Sequence, residues 1–338
     1  MRCSHFSFVI ALLLLTACST APKDPILNTP AVHFESYRVD SAFFNMDTTH
    51  FQASIQKLYQ QYPFFAPVFF DKVLMLDPVK NPKEVLAFLN AYRPIYLDAQ
   101  KINVPSFAFS RIKNAFTRFH YYFPEYTLPK KLVYFIGPLE SYSNILFKDG
   151  LAIGLQMHLG SNAPWYYSEQ IQTIYPPYMS RNFVPANVVV VSMQNILEDY
   201  VSGTTHTNTS GKTLLIQMID AGKKQYILNQ LLPQEADSTK WGYTNMQLKT
   251  LATEESSIFD YLLQQKILFS VAPEDSRNMM QMAANNSLFG ASIPGDAGRF
   301  IGYKMVQSWM EKKGASINLQ QLLAAPAENI YTESGYKP

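Results

Sequence analysis

The sequence predicts a single α+β domain, mostly helical, built around a small central sheet. Three observations carry that prediction. Apolar residues recur at three- and four-residue spacing over most of the chain, as they do in helices with one buried face. Only two short runs, residues 131–136 and 151–159, are apolar and bounded by Gly or Pro in the manner of central strands. No Pro-rich or Ser-rich stretch divides the 338 residues, and no repeat period is visible. Composition agrees: 47% hydrophobic and 16% charged residues are enough to bury a core and exclude global disorder. The 28 basic and 26 acidic side chains nearly balance at +2, with no block of five like charges. Phosphate binding needs a basic excess or stripe, so nucleic acid is excluded as the main partner. Aromatics are abundant (23 Phe, 21 Tyr, 3 Trp) and Gly is scarce at 14, which leans away from glycine-rich nucleotide loops.

The chain opens on an export leader. Met1-Arg2-Cys3-Ser4-His5 precedes an apolar stretch from Phe6 to Leu15 that is too short to span a bilayer. It ends in Leu15-Thr16-Ala17-Cys18, which resembles the lipobox read by bacterial lipoprotein signal peptidase. That resemblance implies cleavage before Cys18 and lipidation of its thiol. Residues 1–17 are then the signal peptide, 18–31 a lipidated tether carrying Pro22, Pro25 and Pro30, and 32–338 the domain. The only other cysteine, Cys3, leaves with the signal, so the mature fold holds no disulfide, thiolate metal ligand or Cys nucleophile. Several acyl chains on one terminus anchor stably. Ser19, rather than Asp, after the Cys leans toward the periplasmic face of the outer membrane; the inner membrane is the alternative.

Residues 32–39 alternate as an edge strand does. From Asp47 the pattern turns helical, with Phe51, Ile55, Leu58, Tyr59 and Tyr62 on one face until Pro63. Residues 82–97 and 106–119 read as two further helices before Pro124 and Pro129 break the chain. The two strand runs follow, the second containing His158. The second half carries long helices over 188–201, 211–231, 245–269 and 298–313. Ser210 or Thr209 is the expected N-cap of the 211–231 helix. Ser210-Gly211-Lys212-Thr213 resembles a P-loop tail, but His206 stands where that loop needs its first Gly.

Catalytic signatures are sparse. No His-Glu-x-x-His and no Gly-x-Ser-x-Gly occurs, and the histidines are scattered. No catalytic residue, metal ligand or cofactor is assigned. Asp220, set between Ile219 and Ala221-Gly222, calls for a partner if buried, with Lys223 or Lys224 nearest in sequence. Glu255 reads as a solvated helix face. Asp-Ser-Ala at Asp40, Asp-Thr-Thr at Asp47 and Asp-Ser-Thr at Asp237 resemble the O-glycosylation triplet of exported Bacteroidetes proteins.

Several longer blocks carry a family resemblance. They are Ile153-Gly154-Leu155-Gln156-Met157-His158-Leu159-Gly160, Tyr175-Pro176-Pro177-Tyr178-Met179-Ser180-Arg181-Asn182-Phe183, and Leu215 through Tyr226 followed by Leu231-Leu232-Pro233. Glu254-Glu255 before Ile258-Phe259-Asp260-Tyr261, Pro294-Gly295-Asp296-Ala297-Gly298-Arg299-Phe300-Ile301-Gly302-Tyr303 and the ending Glu333-Ser334-Gly335-Tyr336-Lys337-Pro338 complete the set. Together they resemble the gliding-motility lipoprotein GldB family of Bacteroidetes. The resemblance implies an envelope lipoprotein supporting gliding or related envelope machinery, with no established enzyme activity. It also implies a distant likeness to zincin-like metallopeptidases, in a fold that has lost its metal. The 188–200 helix offers Ser192, Met193, Gln194 and Asn195 but no histidine, and Asp220-Ala221-Gly222 sits where a Glu-Gly ligand segment would be.

Two functions follow as expectations. The first is a non-catalytic, lipid-anchored protein that binds an envelope protein partner. Its contact surface would hold Trp165, Tyr166, Tyr175 and Tyr178, beside Tyr167, and its cleft Asp220, Lys223, Glu254, His158 and Arg299. The second is a peptidase-like hydrolase of envelope peptide or glycan. It requires Asp220, Glu254 and His158 to converge within hydrogen-bond reach.

Overall fold

The computed structural model describes residues 29–204 and 211–338. The signal peptide, Cys18, most of the tether, Thr209 and Ser210 lie outside the described residues. The chain enters along β1 (Glu35–Arg38) and turns at once into α1 (Val39–Phe44). The alternation over 32–39 is therefore a strand only in its second half. α2 (Phe51–Gln61) ends at Tyr62, where Pro63 removes the next amide. α3 (Ala66–Val68) runs into a π-helical turn, Phe69–Leu74, that buries Phe69, Phe70, Val73 and Leu74. α4 (Pro82–Ile102) runs five residues beyond Leu97, because nothing after its internal Pro94 forbids helix. Asn103, in the left-handed region at φ 53°, is the single hinge residue between α4 and α5 (Val104–Tyr122).

β2 (Lys131–Phe135), β3 (Asn144–Phe147) and β4 (Gly150–Gly154) complete a four-stranded sheet in the order β1-β2-β4-β3. β1–β2 and β2–β4 pair in parallel and β3–β4 antiparallel. β2 and β4 are the central strands, which is why they read as continuous apolar runs. β4 stops at Gly154. Leu155–Met157 is a 3₁₀ turn, so His158 does not sit in a strand. The fully buried amide of Gln156 bonds the Gly137 N–H (3.1 Å) and the Tyr142 carbonyl (3.1 Å) there, diverting the chain from the sheet.

Short helices α6 (Glu169–Ile174) and α7 (Pro177–Ser180) lead to α8 (Asn187–Thr204) and α9 (Leu214–Leu231). The N-cap of α9 is Thr213, whose hydroxyl accepts the Ile216 amide at 3.4 Å, rather than the expected Thr209 or Ser210, three to four residues earlier. α10 (Asp237–Trp241) follows. The single helix expected over 245–269 is two: α11 (Asn245–Thr253), with a Thr244/Gln247 capping box, and α12 (Glu255–Gln264), meeting at Glu254. α13 (Pro273–Met280), α14 (Ala297–Lys313), α15 (Leu319–Ala324) and α16 (Ala327–Ser334) close the chain.

One continuous apolar core runs from Val39 to Ile330, so the described chain is a single α+β domain, mostly helical. Its second half is organised by the crossing of α9 and α14. A Cβ on Gly222 would meet the Gly302 backbone, and one on Gly302 the Met218 carbonyl. These two glycines let the helix backbones touch.

Candidate functional site

Three of the sequence blocks, 175–183, 215–226 and 294–303, meet around Arg299. Asp296 takes the left-handed conformation (φ 62°) that turns the chain into α14, placing its carboxylate back over the first turn. Arg299 Nε lies 2.8 Å from Asp296 Oδ2, an ion-pair contact without hydrogen-bond alignment. Arg299 Nη1 donates to Gln225 Oε1 (3.1 Å) and Nη2 to the Trp241 carbonyl (2.8 Å). Its guanidinium also lies over the rings of Trp241 and Tyr243, at 5.2 and 5.5 Å. Tyr243 donates its hydroxyl to the Gly295 and Asp296 carbonyls (2.8 and 3.0 Å). Arg181 reaches the same turn, Nη2 donating to the Gly242 carbonyl at 2.9 Å. Burial pushes the Asp296 carboxyl up to about 6, with Arg299 opposing the shift, and burial lowers Arg181. Every arm of Arg299 is engaged by protein, so this node clamps α9, α10 and α14 together.

The remaining residues of the expected cleft lie elsewhere. Asp220 pairs with Lys212 (2.8 Å) and Lys223 (3.3 Å), and buried Lys223 also donates to the Ala325 carbonyl (2.7 Å). The expected Asp220–Lys223 pair therefore forms, and it ties α9 to the α15–α16 junction. Lys224 instead pairs with Glu198 at 2.7 Å. Glu254 is the half-buried joint between α11 and α12. Glu255, expected in solvent, accepts the Tyr336 hydroxyl (2.9 Å) and faces Lys304 (3.4 Å), holding the chain's end against α12 and α14. His158 is buried with neither ring nitrogen hydrogen-bonded. Burial pushes its pKa down to about 4; the Val184 backbone opposes the shift but is not aligned for a hydrogen bond. Asp220, Glu254 and His158 thus form no hydrogen-bonded constellation. Among the described residues, no three His, Cys, Asp or Glu side chains are grouped to hold a metal ion.

The aromatic segment separates into inside and outside. Tyr166 is a correction to the expected surface: it is buried, its hydroxyl donating to the Gln156 carbonyl (2.7 Å) and accepting the Leu159 amide (3.1 Å). Phe183 packs edge-on against both Tyr166 and Tyr175. Trp165 is half-buried, Nε1 donating to Asp98 Oδ2 at 3.0 Å, and Tyr178 is half-buried near the Met282 carbonyl. The exposed side chains are Tyr167 (57%) and Ile174 (42%). Ser168 caps α6 between them, accepting the Ile171 amide at 3.3 Å. Beside this segment opens a cleft of about 490 Å³, lined by Asp98, Lys101 and Ile102 of α4, by 159–164 and by Val184. The Asp98–Lys101 pair (2.8 Å) and the Trp165 bond fix its rim. The Trp165–Tyr178 run signalled this face in the sequence. Ile174 carried no signal, because an isolated apolar residue is ordinary at a surface.

A family model described as gliding motility protein GldB matches residues 20–338. No curated protein and no solved structure matches the chain.

Proposed function

The chain belongs to the gliding motility protein GldB family, and from that premise we propose that it is an envelope lipoprotein, anchored through Cys18, that supports gliding or related envelope machinery by non-catalytic binding of a protein partner. The face formed by Tyr167, Ile174 and the adjoining cleft makes the contact. One observation carries this reading: Tyr167 and Ile174 stay exposed on a segment whose other aromatic rings are buried or half-buried, and the neighbouring residues 159–164 line a cleft of about 490 Å³. Aromatic and aliphatic anchors beside a pocket are how protein interfaces concentrate binding energy. None of the described helices is long and apolar enough to cross a membrane; in this reading the acyl chains on Cys18 supply the anchor. We place the protein on the periplasmic face of the outer membrane, following Ser19.

A host strain carrying only the Tyr167→Asp, Ile174→Asp double variant tests the proposal. Both positions are exposed, so the fold and protein level stay normal. Surface spreading falls to that of the gene deletion, and Cys18→Ser does the same by releasing the protein from membranes. Wild-type spreading by a stably produced double variant would overturn the reading.

A further inference from the structure

A second cleft, of about 410 Å³, lies on a different set of elements, where the end of α5 meets α9, α14 and the start of α15. Its lining holds three tyrosines (Tyr121, Tyr122, Tyr226), three side-chain amides (Gln230, Asn318, Gln320), Pro124, and an apolar patch of Met310, Ile317 and Leu319. No ionisable carboxylate or amine lines it. Tyr121 and Tyr122 stand nearly perpendicular, ring centroids 5.0 Å apart at 79°, and Tyr121 is 53% exposed. Tyr226 and Gln230 are four residues apart on α9 and so share one helix face. Among the described residues, neither the Tyr226 hydroxyl nor the Gln230 amide is hydrogen-bonded to protein. Gln320 has its NH₂ on Glu125 (2.9 Å), which fixes the amide and leaves its oxygen open.

We propose that this cleft binds a neutral glycan containing N-acetylhexosamine. A pyranose ring presents an apolar C–H face and a rim of hydroxyls. Aromatic faces match the first, and side-chain amides, which both donate and accept, match the second. The Met310–Ile317–Leu319 patch matches the methyl of an acetamido group. A charged ligand would leave its ion unpaired here, and burying an unpaired charge is unfavourable. The volume lies in the range of small-ligand sites. This site shares no lining residue with the Tyr167–Ile174 face, so the two proposals stand separately.

The test uses full-length protein in a detergent without a sugar headgroup, titrated with chitotriose and with maltotriose and followed by saturation-transfer NMR. Chitotriose binds saturably, and its acetamido methyls receive the strongest transfer. Tyr226→Ala and Gln230→Ala each weaken it about tenfold, roughly 1.4 kcal/mol, while Tyr167→Asp leaves it unchanged. Gln230→Ala removes only a half-buried polar side chain, so it serves as the check should Tyr226→Ala disturb folding. Absence of saturable chitotriose binding, or binding undiminished in Gln230→Ala, would overturn the site. Equal affinity for maltotriose would overturn the acetamido assignment.

Discussion

Arg299 shows how a residue that looks functional in sequence can be held by structure alone. Its ion pair, two hydrogen bonds and two ring contacts hold the guanidinium against protein groups on every side. A lysine could not replace the planar fork that reaches Gln225 and Trp241 together. His158 is the opposite case, a buried titratable ring without a hydrogen bond. Burial depresses its pKa from 6.5 to about 4. Between those values the unfolded chain binds the proton and the folded chain does not. The stability at stake is fully present above pH 6.5 and is lost as pH falls through 4, by up to about 3 kcal/mol. His158→Leu, which removes both unpaired nitrogens, is expected to be at least as stable as wild type at pH 7. Urea melts at pH 7, 5.5 and 4 will show the wild-type midpoint falling more than the variant's. Parallel curves would show that His158 is not held neutral by burial.

At the scale of elements, the decisive contact is the α9–α14 crossing. Gly302→Ala drives a methyl into the Met218 carbonyl, a backbone group that cannot swing aside, and is expected to destabilise by about 3 kcal/mol. Gly203, on α8, has open space around its Cβ direction, so Gly203→Ala is expected to stabilise by about 0.5–1 kcal/mol through helix propensity. Equal thermal shifts for the two would refute the close crossing. The long amphipathic helices were legible because one buried face repeats every three to four residues. The element ends were less so. Leu251, Ile258 and Leu262 keep a common buried face across the Glu254 joint, so periodicity passes through a break that has neither Gly nor Pro. The strand at 151–154 runs into the 3₁₀ turn without a change of polarity, because both are wholly buried. β3 escaped notice because Asn144 is its most buried residue, bonded to Ser192 at 3.3 Å, while Ile145 to Phe147 are half-buried.

At the scale of the whole molecule, sequence blocks that read as one cleft are distributed through the fold. Asp220 and Arg299 tie different helices, Glu254 sits at the α11–α12 joint and His158 is buried without a hydrogen bond, and no periodicity or spacing within the chain reports on such long-range placement. Of the four rings expected at a surface, Tyr166 is buried and Trp165, Tyr175 and Tyr178 are half-buried, while the exposed ring is the adjoining Tyr167. Which rings go inside depended on the hydrogen bonds of Tyr166 to Gln156 and Leu159 and on the edge-on packing of Phe183, partners seven to seventeen residues away in sequence. The central claim is that Tyr167 and Ile174 touch a partner in the envelope. The most direct measurement places a photo-crosslinking amino acid at each position of the full-length protein in its host, with exposed Met246 (71%) as the control site. One discrete, higher-mass adduct is expected from 167 and 174 and none from 246. No adduct from either rim position, or the same adduct from 246, would contradict it.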